Sequence, residues 1–218
     1  MDAALARHNM VENQIRPNRV TDPVIIQAMM DLPRESFVPD TLKGVAYVDE
    51  ALALGGGRYL MEPMVVARIL QAAEVAPDDV VLTIGCGTGY AAAILSRMAS
   101  TVVALESDPD LAAKANEILT GLNIDNVAVI EGPLAEGYEK QAPFNVIIIE
   151  GGIDAVPDRI AGQLAEGGRL VAPLCGAEAG AGHAILATRV DGQLSQRQVF
   201  DAGTPRLPGF EAAPGFVL

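Results

Sequence analysis

The segment Gly85-Cys86-Gly87-Thr88-Gly89 and the acid Glu106, twenty-one residues after its first glycine, carry the clearest chemical meaning in the sequence. Glycines at alternate positions bring bare backbone N–H groups close to a ligand, because a side chain would block the approach or forbid the turn. A carboxylate about 20 residues downstream can accept hydrogen bonds from both hydroxyls of a ribose. Gly85, Cys86, Gly87, Gly89 and Glu106 therefore spell a nucleoside site. The dinucleotide fingerprint requires glycine at its sixth position, where a helix must approach a pyrophosphate closely, and here that residue is Tyr90. S-adenosylmethionine has no phosphate and relaxes that demand. The spacing favours it over a nicotinamide cofactor and disfavours a nicotinamide oxidoreductase.

Such a turn works only between a strand and a helix, and the flanking periodicity supplies both. Val80 to Ile84 reads as a buried strand, and an alanine-rich helix follows from Tyr90 to about Met98. Further strands are expected at Thr101–Glu106, Val127–Ile130, Phe144–Ile149 and Gly168–Pro173, with helices from Asp108-Pro109 to Thr120 and from Pro157 to Ala165. Short apolar strands alternating with helices predict a doubly wound, mostly parallel α/β sheet. His183–Val190 and Gln193–Phe200 flank Asp191-Gly192, which predicts a C-terminal antiparallel hairpin. Upstream, an amphipathic helix is expected over residues 2–15. A second, capped by Thr21 or Asp22, begins at Pro23, and a third starts at Pro63. Residues 35–57 look irregular. The expected organisation is one domain, 1–218, comprising an N-terminal helical cap and loop (1–78), an α/β core (79–175) and an antiparallel extension and tail (176–218).

Composition narrows the partners. Fifteen Lys+Arg against twenty-eight Asp+Glu leave a formal charge of −13, which would repel nucleic acid and anionic lipid. Hydrophobic residues make up 50% but aromatics only 4%, so the core must be built from Ala, Val, Ile and Leu. Cys86 and Cys175 make neither a disulfide framework nor a metal site by themselves. Neither a leader pattern nor an apolar run of about 20 residues is visible, and a cytoplasmic protein is expected. The apolar tail from Leu207 to Leu218 is expected to dock on the domain or on a second copy, as a monomer or homodimer.

Several segments resemble the protein-L-isoaspartate O-methyltransferase family. They are Met10–Ile15, Leu32-Pro33-Arg34-Glu35-Ser36-Phe37-Val38-Pro39, Ala46-Tyr47, Gly55 to Pro63, Ile84 to Ala92, Ala142 to Ile147 and Gln163 to Pro173. Order and spacing hold from about residue 7 to 174. The resemblance implies the class I S-adenosylmethionine-dependent methyltransferase fold. It also implies methyl transfer to the carboxylate of an isoaspartyl residue in a protein or peptide, with Leu134 near the adenine and the loop Arg58-Tyr59-Leu60-Met61 near the substrate.

Four positions depart from the family pattern. Met61 stands where a substrate-contacting serine is expected and Tyr59 where a threonine is; Met61 would plug the pocket, and Tyr59 would either pack or lie over the sulfonium. Thr83 replaces an acid near the cofactor's ammonium group, which should lower affinity. Pro133 replaces an aspartate that accepts the adenine amino group. Glu150 ends the fourth core strand, where its carboxylate would repel an anionic acceptor unless Arg58 pairs with it. These departures keep open a relative acting on a small or cationic acceptor and a non-catalytic binding or regulatory protein.

Overall fold

The computed structural model describes residues 2–176 and 181–210. Asp2 accepts the Ala4 N–H at 3.0 Å and caps α1 (Ala3–Met10). The helix expected to reach residue 15 instead widens to a π turn at Val11–Ile15 and tightens to a 3₁₀ turn at Arg16–Asn18. Pro17 is the cause, since its ring clashes with the carbonyl four residues back and it has no N–H to continue the ladder. Asp22 accepts the Val24 N–H at 2.8 Å and caps α2 (Pro23–Asp31). Two 3₁₀ turns lead to a small hairpin, β1 (Leu52–Gly55) and β2 (Arg58–Leu60), within the stretch expected to be irregular. Three consecutive left-handed glycines, Gly55, Gly56 and Gly57, make its turn and hide the strand alternation from sequence reading.

After α3 (Pro63–Ala73) the core alternates as expected: β3 (Val80–Ile84), α4 (Tyr90–Leu95), β4 (Thr101–Glu106), α5 (Pro109–Gly121), β5 (Val127–Glu131) and β6 (Phe144–Ile149). The helix predicted over 157–165 shrinks to α6 (Asp158–Ala161), because Leu164 already pairs with Phe144 and opens the long strand β7 (Leu164–Cys175). β8 (Gly182–Val190) and β9 (Gln193–Asp201) form the predicted hairpin, with Asp191 and Gly192 both left-handed as a two-residue turn requires.

The seven strands run in the order β5-β4-β3-β6-β7-β8-β9. The first five are parallel, and β8 and β9 are antiparallel. Alternate residues of β6 divide the interior: Val146 and Ile148 join the core beneath the N-terminal cap, α3 and α4, whereas Ile147 and Ile149 join the core on the other face. Strand order reverses between β3 and β6, and the crevice above their carboxyl ends is where ligands of such sheets bind. Among the described residues, no helix is long and apolar enough to cross a membrane.

Candidate functional site

The turn after β3 lies at that reversal. Gly85, Gly87 and Gly89 have φ of +82°, +55° and +92°, values that favour glycine. The Gly85 N–H is tied to the Leu105 carbonyl at 2.8 Å, which joins the turn to β4, and Gly89 starts α4. Tyr90 points into the core, edge-on to Phe37 at 5.2 Å and beneath the Arg34 guanidinium at 4.8 Å. Arg34, fully buried, donates to the carbonyls of Ala46 (2.8 Å) and Met61 (2.6 Å). It ties the Pro-Arg segment to the loop beside the turn, a role that sequence reading missed because its acceptors are backbone atoms distant in sequence.

Glu106 closes β4 with no exposed surface. Its Oε2 accepts the Gly87 N–H at 2.7 Å, and its Oε1 accepts the N–H groups of Ser107 and Asp108 at 2.8 and 3.1 Å. The remaining capacity goes to Arg58, whose Nη2 reaches Oε2 at 2.9 Å and whose Nε reaches Oε1 at 3.2 Å. Arg58 is itself only 3% exposed. The pairing expected between Arg58 and Glu150 is thus replaced by a two-pronged ion pair with Glu106, because β2 lays Arg58 across the end of β4 rather than that of β6.

Other side chains of the protein stand against the same turn. A methyl group placed on Gly85 would meet Leu207 Cδ1 at 2.8 Å and Arg58 Nη2 at 2.9 Å, and one on Gly87 would meet Leu54 Cδ1 at 2.8 Å. Leu207 sits on a strap held to the loop after β6: Gly152 donates to the Pro205 carbonyl, and Leu207 donates to the Gly152 carbonyl, both at 2.8 Å. The Leu207–Phe210 part of the tail docks on the second core as expected, with Leu207 3% and Phe210 9% exposed. The expected docking of residues 211–218 lies outside the described residues. Leu54 and Leu207 left no chemical signal in the sequence beyond the apolar character of the tail.

Two departures from the family pattern face each other. The Thr83 hydroxyl donates to Glu150 Oε1 across the paired strands β3 and β6. Burial is the main cause that pushes the Glu150 carboxyl up to about 7, opposed by the Thr83 hydrogen bond and the Arg58 charge. The repulsive carboxylate expected at this strand end is therefore about half protonated around neutral pH. Burial and the adjacent carboxylates push the Cys86 thiol well above its ordinary value, so it is no nucleophile.

The remaining expected residues scatter. Leu60 and Met61 are buried in the cap-side core, whereas Tyr59 is 39% exposed and points away from it. Leu134 is buried in the second core. Pro133 lines a cavity of about 310 Å³ together with Leu105, Gly132 and Tyr138. Among the described residues no group of three or more His, Cys, Asp or Glu could hold a metal ion.

The likeness to known proteins extends across this whole architecture. The profile of the family described as Protein-L-isoaspartate(D-aspartate) O-methyltransferase (PCMT) matches residues 6–201. A protein-L-isoaspartate O-methyltransferase of Pelotomaculum thermopropionicum is 42% identical over 168 residues, covering 77% of this chain and 73% of the relative. One from Koribacter versatilis is 41% identical, covering 78% and 77%. A solved protein-L-isoaspartate O-methyltransferase superposes with TM-score 0.79 at 26% identity over 94% of this chain and 67% of that one. A Plasmodium falciparum structure in complex with S-adenosyl-L-homocysteine superposes with TM-score 0.77 at 20% identity, covering 92% and 97%. With the family profile matching residues 6–201 and identity near 40% sustained over three quarters of its length, the chain belongs to the protein-L-isoaspartate O-methyltransferase family.

Proposed function

We propose that this protein transfers a methyl group from S-adenosylmethionine to the free carboxylate of an isoaspartyl residue, as a cytoplasmic protein-repair enzyme. The observation that carries the reading is the family match over residues 6–201, which spans both the glycine turn and Glu106. An isoaspartyl carboxylate, with a pKa of about 4, is ionised at neutral pH and needs no general base. Rate then comes from alignment of acceptor and donor, so the absence of a hydroxyl at Met61 removes a positioning contact rather than a proton acceptor. A protonated Glu150 donates a hydrogen bond instead of repelling the acceptor, which makes its place at the strand end compatible with an anionic substrate.

The backbone of residues 85–89 and the Glu106 carboxylate suit a nucleoside in kind, but their ligand-facing side is filled by Arg58, Leu54 and Leu207. That self-occupancy favours a second reading, in which the chain is a family relative without isoaspartate activity that acts as a binding or regulatory protein. Incubation with an isoaspartyl peptide and methyl-labelled S-adenosylmethionine separates the two. Base-labile methyl ester above a boiled control is the expected result. Its absence over hours at saturating donor would leave the non-catalytic reading.

A further inference from the structure

We infer that Arg58 is an internal competitor for the nucleoside: it holds the Glu106 carboxylate that a ribose requires, and the hairpin and strap carrying Arg58, Leu54 and Leu207 must move aside before a nucleoside can enter. This rests on the nucleoside-dependent reading above and adds what sets affinity at that site.

A carboxylate offers about four lone-pair positions. Glu106 is more than saturated: it accepts from the N–H groups of Gly87, Ser107 and Asp108, from two prongs of Arg58 and, at 3.4 Å, from the Ser107 hydroxyl. The backbone donors are built into the turn and the start of α5. Besides the long Ser107 hydroxyl contact, the side-chain donors are the two prongs of Arg58, which can leave, and a ribose diol brings two. The exchange is donor for donor, but unequal: the guanidinium bonds are charge-assisted, those from neutral hydroxyls are not.

Space excludes coexistence as well. Leu207 and Arg58 stand within 3 Å of a methyl placed on Gly85, and Leu54 does the same at Gly87, so a ligand atom cannot take those positions while they remain. The two covers also meet, since a methyl on Gly57 at the hairpin tip would touch Pro208 Cγ of the strap at 3.4 Å. The hairpin has three paired positions beside three glycines, and the strap is held at the loop after β6 by two backbone hydrogen bonds with Gly152, by the Arg206–Asp154 ion pair and by the buried Leu207 and Phe210. Because only the open fraction binds, the apparent dissociation constant rises by the inverse of that fraction.

Calorimetric titration with S-adenosylhomocysteine, which binds without reacting, tests the inference on the wild type, Arg58→Ala and Leu207→Ala. Arg58→Ala is expected to bind on the order of tenfold tighter than the wild type or better, and Leu207→Ala severalfold tighter. Hydrogen exchange in the wild type is an independent readout that needs no variant to fold. Saturating ligand should speed exchange at the Gly152 and Leu207 amides, because the strap leaves. Slower exchange there on binding, or a wild type that binds as tightly as both variants, overturns the competitor while leaving methyl transfer standing. Failure of all three chains to bind defeats the nucleoside reading and the competitor together.

Discussion

Replacing Glu150 by Gln should remove a specific pH dependence of stability. The carboxyl is 7% exposed and held at about 7, against 4.5 for an ordinary glutamate. Between those values the folded protein keeps a proton that the unfolded chain has lost, so stability falls as pH rises and levels off above the folded value. The whole displacement corresponds to about 3 kcal/mol, of which about 2.5 kcal/mol falls between pH 5 and pH 8. Glutamine retains an acceptor for the Thr83 hydroxyl but cannot ionise, so Glu150→Gln lacks this term. Urea unfolding of both chains at several pH values measures it as a difference, in which the titrations they share cancel. The advantage of Glu150→Gln over the wild type should grow by about 2.5 kcal/mol from pH 5 to pH 8, or about 5–10 °C in midpoint temperature. Parallel pH profiles would refute the reasoning, because they would mean that Glu150 ionises in the folded protein as easily as in the unfolded one.

The Arg58–Glu106 pair should couple strongly. Arg58→Met alone should cost about 3 kcal/mol by leaving a buried carboxylate without its counter-charge. In denaturant unfolding, the double variant with Glu106→Gln should depart from additivity by about 2 kcal/mol, and additivity within about 0.5 kcal/mol would contradict the pair. Arg34→Met strands the buried carbonyls of Ala46 and Met61 and removes the cation from above Tyr90, for an expected loss of about 3 kcal/mol by the same measurement. Asp22→Ala removes the cap of α2 and should lower stability by about 1 kcal/mol, visible as a small shift of the urea midpoint.

Local rules carried far in this protein. The β3 turn was readable because only glycine tolerates the left-handed φ at 85, 87 and 89. The core strands were readable because a parallel sheet covered on both faces demands unbroken aliphatic runs. The helix starts at Pro23 and Pro109 follow from acidic caps one residue earlier. The π and 3₁₀ turns over 11–18 were missed, because helical periodicity persists while the backbone register slips around Pro17. The early start of β7 was missed too, because Leu164 is drawn into the sheet by Phe144, twenty residues away.

At the candidate site, residue types alone specified which groups have chemistry to offer: bare backbone at 85–89, carboxyls at 106 and 150, a guanidinium at 58. Which of them meet was settled by folding. Arg58 grips Glu106 rather than Glu150, Thr83 donates to Glu150, and Leu207 arrives from the far end of the chain against Gly85. Donor and acceptor types are properties of single residues, whereas pairing depends on where strands separated by dozens of positions end in space. A short hairpin and a docked strap determine what meets Glu106 and Gly85, and neither follows a periodic pattern.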